Sequence, residues 1–224
     1  MNSKKNHPPY FAPASPEKWH YSDTNWFLLQ LVIEAASGST FKQELHRSIL
    51  DPLGLSHTFV YSEEILDKVI PGYDSWWGFP EHGARPYLIS TANDVIRFSA
   101  SLFAGEILKP STVAMMLEPL PFKVKIDSDD MPFKDQMDYY GMGIAFIQAP
   151  TGIEISGTLV GCGGEGIGFT TELIHHLDTG ITVIALENLE GFGGSPRPRR
   201  ASFNALNVAL KALNTSVESW SWHE

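Results

Sequence analysis

Gly161-Cys162-Gly163-Gly164-Glu165-Gly166-Ile167-Gly168 places five glycines in eight residues. By letters, Gly161-x-Gly163-x-x-Gly166 matches a dinucleotide fingerprint. That motif works only where a strand runs into a helix whose N-terminus takes the phosphates. Here the residues that follow, 168–174, are another β-rich run, so the match carries no cofactor and none is expected. The cluster sits instead in a series of β-rich segments at 142–147, 153–160, 168–174 and 181–186. Between them lie Pro150-Thr151-Gly152, the glycine cluster itself and Asp178-Thr179-Gly180, which are hairpin signals. Read alone, the cluster is a bulged hairpin. Read chemically, bare backbone lets a substrate lie along a strand edge with N–H groups facing a developing oxyanion.

Outward from this meander the pattern turns helical on both sides. Downstream, 201–213 carries Phe203, Leu206, Val208, Leu210 and Leu213 and reads as a terminal helix. Upstream, 24–36 is apolar nearly all round (Trp26, Phe27, Leu28, Leu29, Leu31, Val32, Ile33), which predicts a helix buried on most sides and stopped by Gly38. Thr40 with Gln43 forms a capping box before a stripe of Phe41, Leu45 and Ile49, and Asp51-Pro52-Leu53-Gly54 ends that helix. Thr91 with Asp94 predicts a second capping box and a helix closed by Gly105, and 111–117 a short helix after Pro110. Residues 56–88 and 121–138 read as loops and 191–198 as another. Helices, then an antiparallel meander, then a helix imply an α+β fold: an antiparallel sheet with a helical lobe. The expected organisation is an extended lead-in at 1–20, a helical and loop-rich lobe at 21–139, and strands plus a terminal helix at 140–224. One structural domain would span 11–213.

Composition sets outer bounds. In 224 residues, 43% are apolar and 19% charged, enough for a real core. The net charge of −10 argues against a nucleic-acid partner, which needs a basic footprint. One cysteine, Cys162, excludes an internal disulfide, an all-cysteine zinc site and a CxxC redox pair. No apolar run approaches the ~18 residues of a membrane span. The two lysines near Met1 have no apolar stretch behind them, so the start does not read as a signal peptide. His175 and His176 are adjacent and fall on opposite faces of a strand, so they form no metal pair, and no metal is expected.

Tyr21-Ser22-Asp23-Thr24-Asn25 precedes the apolar helix. A tyrosine held there can accept a proton if a nearby cation lowers its pKa from about 10. The structural alternative is a half-buried aromatic with Asp23 or Thr24 as the N-cap.

Taken in order, these segments resemble the serine β-lactamase, DD-peptidase and esterase superfamily, most nearly its class C β-lactamase-like branch. The resemblance runs from about Phe11 to Leu213. It rests on Tyr21-Ser22-Asp23-Thr24-Asn25, Ile33-Glu34-Ala35-Ala36-Ser37-Gly38 and Asp51-Pro52-Leu53-Gly54-Leu55 with Thr58. It rests also on Ser90-Thr91-Ala92-Asn93-Asp94, Tyr140-Gly141-Met142-Gly143, Gly161-Cys162-Gly163-Gly164 with Gly168-Phe169, and Leu186-Glu187-Asn188. The resemblance implies a β-lactamase/transpeptidase-like fold and acyl-enzyme hydrolysis of a small acyl substrate: an ester, an amide or a β-lactam. In the family a serine in Ser-x-x-Lys attacks the carbonyl, the lysine and the tyrosine of Tyr-x-Asn move the proton, and a third motif lines the substrate strand. Carried over, Tyr21 matches the tyrosine, Asp23 stands where asparagine is usual, and Cys162-Gly163-Gly164 match the third motif. The N–H of Glu165 would be the oxyanion donor.

Three departures follow. Asp23 accepts where an asparagine amide also donates, which puts amide recognition in doubt. Cys162 lacks the polar or cationic group of the third motif, which weakens the β-lactam reading. It reads as a small strand residue rather than a nucleophile, because no base adjoins it in sequence. The largest departure is the nucleophile. Ser15-Pro16-Glu17-Lys18 matches Ser-x-x-Lys by letters, but it lies in a Pro-rich extended stretch six residues from Tyr21 and reads as a decoy. The expectation is a C-terminal portion of such a hydrolase, inactive alone. The alternatives are a non-catalytic pseudoenzyme or binding module, or one half of a complementing hydrolase whose serine helix comes from an N-terminal segment or another chain. The partner expected is that segment or, separately, further copies in a homo-oligomer. The resemblance fixes no compartment.

Overall fold

The computed structural model describes residue 12 and residues 21–61, 88–120, 137–166, 169–189 and 196–213. The expected lead-in, the Ser15/Lys18 motif and most of the two long loops lie outside these residues.

Helix α1 (Asp23–Ser37) begins at Ser22, whose hydroxyl accepts from the Thr24 N–H at 3.3 Å, and ends at Gly38 in the left-handed region (φ 67°). The N-cap is therefore Ser22, neither Asp23 nor Thr24. Its extended backbone (φ −151°, ψ 127°) turns the hydroxyl back over the first helical N–H groups. Helix α2 (Phe41–Leu45) opens with the expected Thr40/Gln43 capping box. The single helix expected there is interrupted by a π turn over His46–Leu50 before α3 (Asp51–Leu53) and its left-handed cap at Gly54. Strands β1 (Phe59–Val60) and β2 (Leu88–Ile89) pair as a small sheet inside what read as loop.

Helix α4 (Ala92–Phe103) has half of its expected capping box. Thr91 accepts from the Asp94 N–H, but the Asp94 carboxylate turns away. It accepts instead from the His57 N–H at 2.9 Å and from the Thr58 hydroxyl at 2.8 Å. Asp94 is thus a buried tie between α4 and the turn at 55–58. Helix α5 (Pro110–Met116) follows, one position earlier than the expected 111–117, with Pro110 as its first residue.

The main sheet is an antiparallel meander in the order β3-β4-β5-β6-β7: Met137–Tyr140, Ala145–Ile147, Leu159–Gly166, Phe169–His176 and Ile181–Glu187. The second long strand is displaced from expectation. It starts at Leu159, and Gly161 to Gly166 of the glycine cluster lie within β5, whose last residue pairs with the first of β6. The side-chain alternation at 153–160 misled, because glycines give no alternation to read. What requires glycine there is proximity: a Cβ on Gly161 would sit 2.0 Å from the Leu173 carbonyl oxygen of β6.

Helix α6 (Pro196–Ala212) covers one face of the sheet, packing Phe203, Leu206 and Leu210 on Ala145, Ile147, Leu159 and Ile174. Ile144, Phe146 and Val160 form a second cluster with Phe103 of α4 and Met116 of α5. Because Leu159 and Val160 are neighbours on a strand, the two clusters lie on opposite faces of the sheet. Phe203, Leu206 and Ile174 are fully buried, and each contributes roughly 1.5–3 kcal/mol from burial.

Helix α1 departs most from expectation. None of its described side chains is buried, and Leu28, Leu29, Leu31 and Val32 are 51%, 51%, 44% and 61% exposed. Its apolar composition signals a need for cover. The layers that bury the sheet lie elsewhere, on α4, α5 and α6.

Candidate active site

Two elements bring the motif residues into one neighbourhood. Tyr21 stands at the mouth of α1, and the Trp26 indole N–H, one and a half turns on, donates to its hydroxyl oxygen at 3.0 Å. The Trp26 ring reaches across to Gly143, where a Cβ would lie 3.5 Å from it. Gly143 takes a positive φ of 74°, so the backbone of this turn between β3 and β4 favours glycine, while the ring beside it would only be in ordinary van der Waals contact with a side chain there.

The third-motif strand supplies the other side. The β4 ladder meets β5 only at Val160 and Gly161, whereas β6 pairs with β5 along its whole length, from Leu159↔His176 to Gly166↔Phe169. Among the described residues, Cys162 to Gly166 therefore present an edge on the β4 side. Gly163 is paired with the buried Glu172, and a Cβ there would approach the Glu172 carboxylate to 2.9 Å.

Tyr140, at the end of β3, links the two sides electrostatically. Its phenol is pushed up to about 12, first by burial, then by the proximity of Tyr21 and of Cys162, whose negative forms would oppose its own. Cys162 keeps an exposed surface, yet the atoms crowded round its sulfur deprive a thiolate of water. Burial, then the Glu172 carboxylate, pushes the thiol up to about 11. That shift keeps the thiol in its neutral form at physiological pH.

The remaining residues are placed as follows. Asp23 is the first residue of α1, two positions from Tyr21. Gly164 continues β5, and Glu165 pairs with Thr170. Ser15 and Lys18 lie outside the described residues. Sequence reasoning missed Trp26 and Tyr140 as site residues. The five-residue spacing from Tyr21 was the available signal for Trp26, and the tyrosine opening Tyr140-Gly141-Met142-Gly143 was the signal for the other. The two histidines have structural environments: His175 stacks on Phe103 (3.8 Å, 8°), and His176 bonds the Ser156 carbonyl and the Thr179 hydroxyl, each at 2.8 Å. A cavity of about 480 Å³ lies by α2 and α3, lined by Lys42, Gln43, His46, Arg47, Asp51 and Pro52, none of them a predicted site residue.

The fold is that of the serine β-lactamase and transpeptidase-like superfamily. The family model described as Beta-lactamase matches residues 5–206, and the chain belongs to that family. It is 24% identical over 204 residues to penicillin-binding protein 4* of Bacillus subtilis (strain 168), covering 81% of this chain and 42% of that protein. Among solved structures it is similar to the D-amino acid amidase from Ochrobactrum anthropi SV3, with a TM-score of 0.68 and 23% identity over 88% of this chain and 57% of the amidase. The octameric penicillin-binding protein homologue from Pyrococcus abyssi gives a TM-score of 0.66 at 22% identity, over 88% of this chain and 43% of that one. The chain thus spans about half the length of the relatives it matches, and at these identities the structural likeness speaks to fold.

Proposed function

We propose that this chain supplies the tyrosine and substrate-strand half of an acyl-transfer site, with the serine nucleophile carried on a segment outside these 224 residues. The observation that supports this most is the open β5 edge from Cys162 to Gly166, with Tyr140 beside it and feeling the charge of Tyr21. In this reading Tyr21 takes the proton from the attacking serine, the substrate lies along Cys162-Gly163-Gly164, and the Glu165 N–H faces the oxyanion. Asp23 orients the substrate as an acceptor. The substrate is a small ester or amide. A neutral cysteine in the third motif offers nothing to a β-lactam carboxylate. Ser15 and Lys18 take no part, and alone the chain turns nothing over.

The exposed apolar face of α1 favours a complementing segment over a free-standing binding module, because that much apolar surface calls for cover. A homo-oligomer is the second way to cover it. The relative from Pyrococcus abyssi is octameric, and a stable monomer in solution would count against both.

The test is hydrolysis of a p-nitrophenyl ester, a D-amino-acid anilide and a chromogenic cephalosporin. The pure chain is compared with the chain co-expressed with a Ser-x-x-Lys-bearing N-terminal segment of a family member. Turnover of the ester or the anilide is expected only in the pair, and Tyr21→Phe should lower it by about 10²–10⁴-fold. Turnover by the chain alone, or a pair indifferent to Tyr21→Phe, would overturn the proposal.

A further inference from the structure

We infer that Trp26 is the positioning residue for Tyr21, holding the phenol oxygen in place and favouring its ionised form. This rests on the reading of Tyr21 as the proton acceptor. The bond runs from the indole N–H to the Tyr21 oxygen at 3.0 Å, so the tyrosine oxygen is the acceptor. An indole nitrogen only donates, so the contact cannot reverse when the phenol ionises. A donor aimed at an oxygen that becomes negative stabilises the charged form over the neutral one. The geometry is fixed from both ends. Tyr21 and Trp26 flank Ser22, the N-cap of α1, so the helix start sets their separation. The far edge of the indole lies beside the turn at Gly143, where a Cβ would stand 3.5 Å from it.

Tyr140 faces the same phenol from β3 and acts in the opposite sense, since two phenolates in proximity resist each other. Trp26 therefore biases ionisation toward Tyr21, where the chemistry needs it. Phenylalanine at position 26 would remove the donor together with the ring edge that lies by Gly143, so only a replacement that keeps the bicyclic shape isolates the N–H.

The experiment uses the whole chain with ¹³Cζ-labelled tyrosine. The Tyr21 resonance is assigned by its loss in Tyr21→Phe, and its chemical shift is followed through alkaline titration. Trp26→Phe should move the Tyr21 midpoint upward by about half a unit to one unit, the size of one hydrogen bond. Because Trp26→Phe could loosen the helix mouth, a second protein carries benzothienylalanine at position 26, which keeps the ring shape and replaces the N–H with sulfur. It should show the same upward shift with an unchanged circular dichroism spectrum. A midpoint unmoved in the benzothienylalanine protein would overturn the inference. No substrate is needed. A shifted midpoint together with a complemented enzyme indifferent to Tyr21→Phe would retire the role of Tyr21 in catalysis and leave the hydrogen bond standing.

Discussion

The β5–β7 sheet with α6 and the α1 helix are both apolar in sequence, yet the fold treats them oppositely. Phe203, Leu206 and Ile174 are 0% exposed between sheet and helix, while Val32 on α1 is 61% exposed. The first region closes on itself: a meander gives one face to α6 and the other to α4 and α5. The second brings Tyr21 to the third-motif strand and leaves its outer face unmet. Apolar content reports what a segment would gain by burial, and topology decides whether the chain delivers it.

The comparison breaks first if the closed half is not where stability resides. Phe203→Ala or Leu206→Ala should cost about 3–5 kcal/mol in urea unfolding, the range for an emptied core site. A loss no larger than that of an α1 substitution would erase the contrast. Gly161→Ala comes next. Its new Cβ would meet the Leu173 carbonyl oxygen at 2.0 Å, backbone against side chain, so β5 and β6 must part. A loss of about 1–3 kcal/mol is expected, with reduced amide protection on both strands in hydrogen exchange.

A third prediction sharpens the comparison through pH. His175 lies between Phe103 and the Thr182 hydroxyl, which it bonds at 2.7 Å. Burial, then the nearby His176, lowers its pKa from 6.5 to about 4. The unfolded chain therefore binds a proton that the folded chain refuses, and stability should climb as pH rises from about 4 to about 6.5 and then level off. The change is on the order of 1 kcal/mol after solvent screening, and His175→Asn should flatten it in unfolding curves taken across that range. The smallest effect belongs to α1: Leu28→Ser or Val32→Ser should change stability by less than about 0.5 kcal/mol in the chain alone. A larger loss in the isolated chain would mean that this face is already covered.

Much of this architecture was legible because local chemistry and tertiary structure agree. Gly38, the Thr40/Gln43 box, Pro110 and the terminal helix all follow from residues acting on their neighbours. The failures came where long-range contacts decide. Asp94 left its expected cap for His57 and Thr58, thirty-seven and thirty-six positions away. The π turn at His46–Leu50 has no local signature that periodicity could read. Gly161 to Gly166 did not read as strand because a run of glycines has no side-chain alternation, and the pairing with β6 makes it one. At the site, Tyr21 and Cys162 were legible as motif positions. Tyr140 and Trp26 were not, since their parts depend on which turn faces which helix.

The central claim is that the nucleophile lies outside this chain. The most direct test is exposure of the pure, folded protein to a fluorophosphonate and to a fluorescent penicillin, followed by intact-mass and peptide analysis. The account predicts no serine adduct. A stoichiometric adduct on any serine would contradict it, and one on Ser15, abolished by Ser15→Ala, would show that Ser15-Pro16-Glu17-Lys18 is the working motif after all.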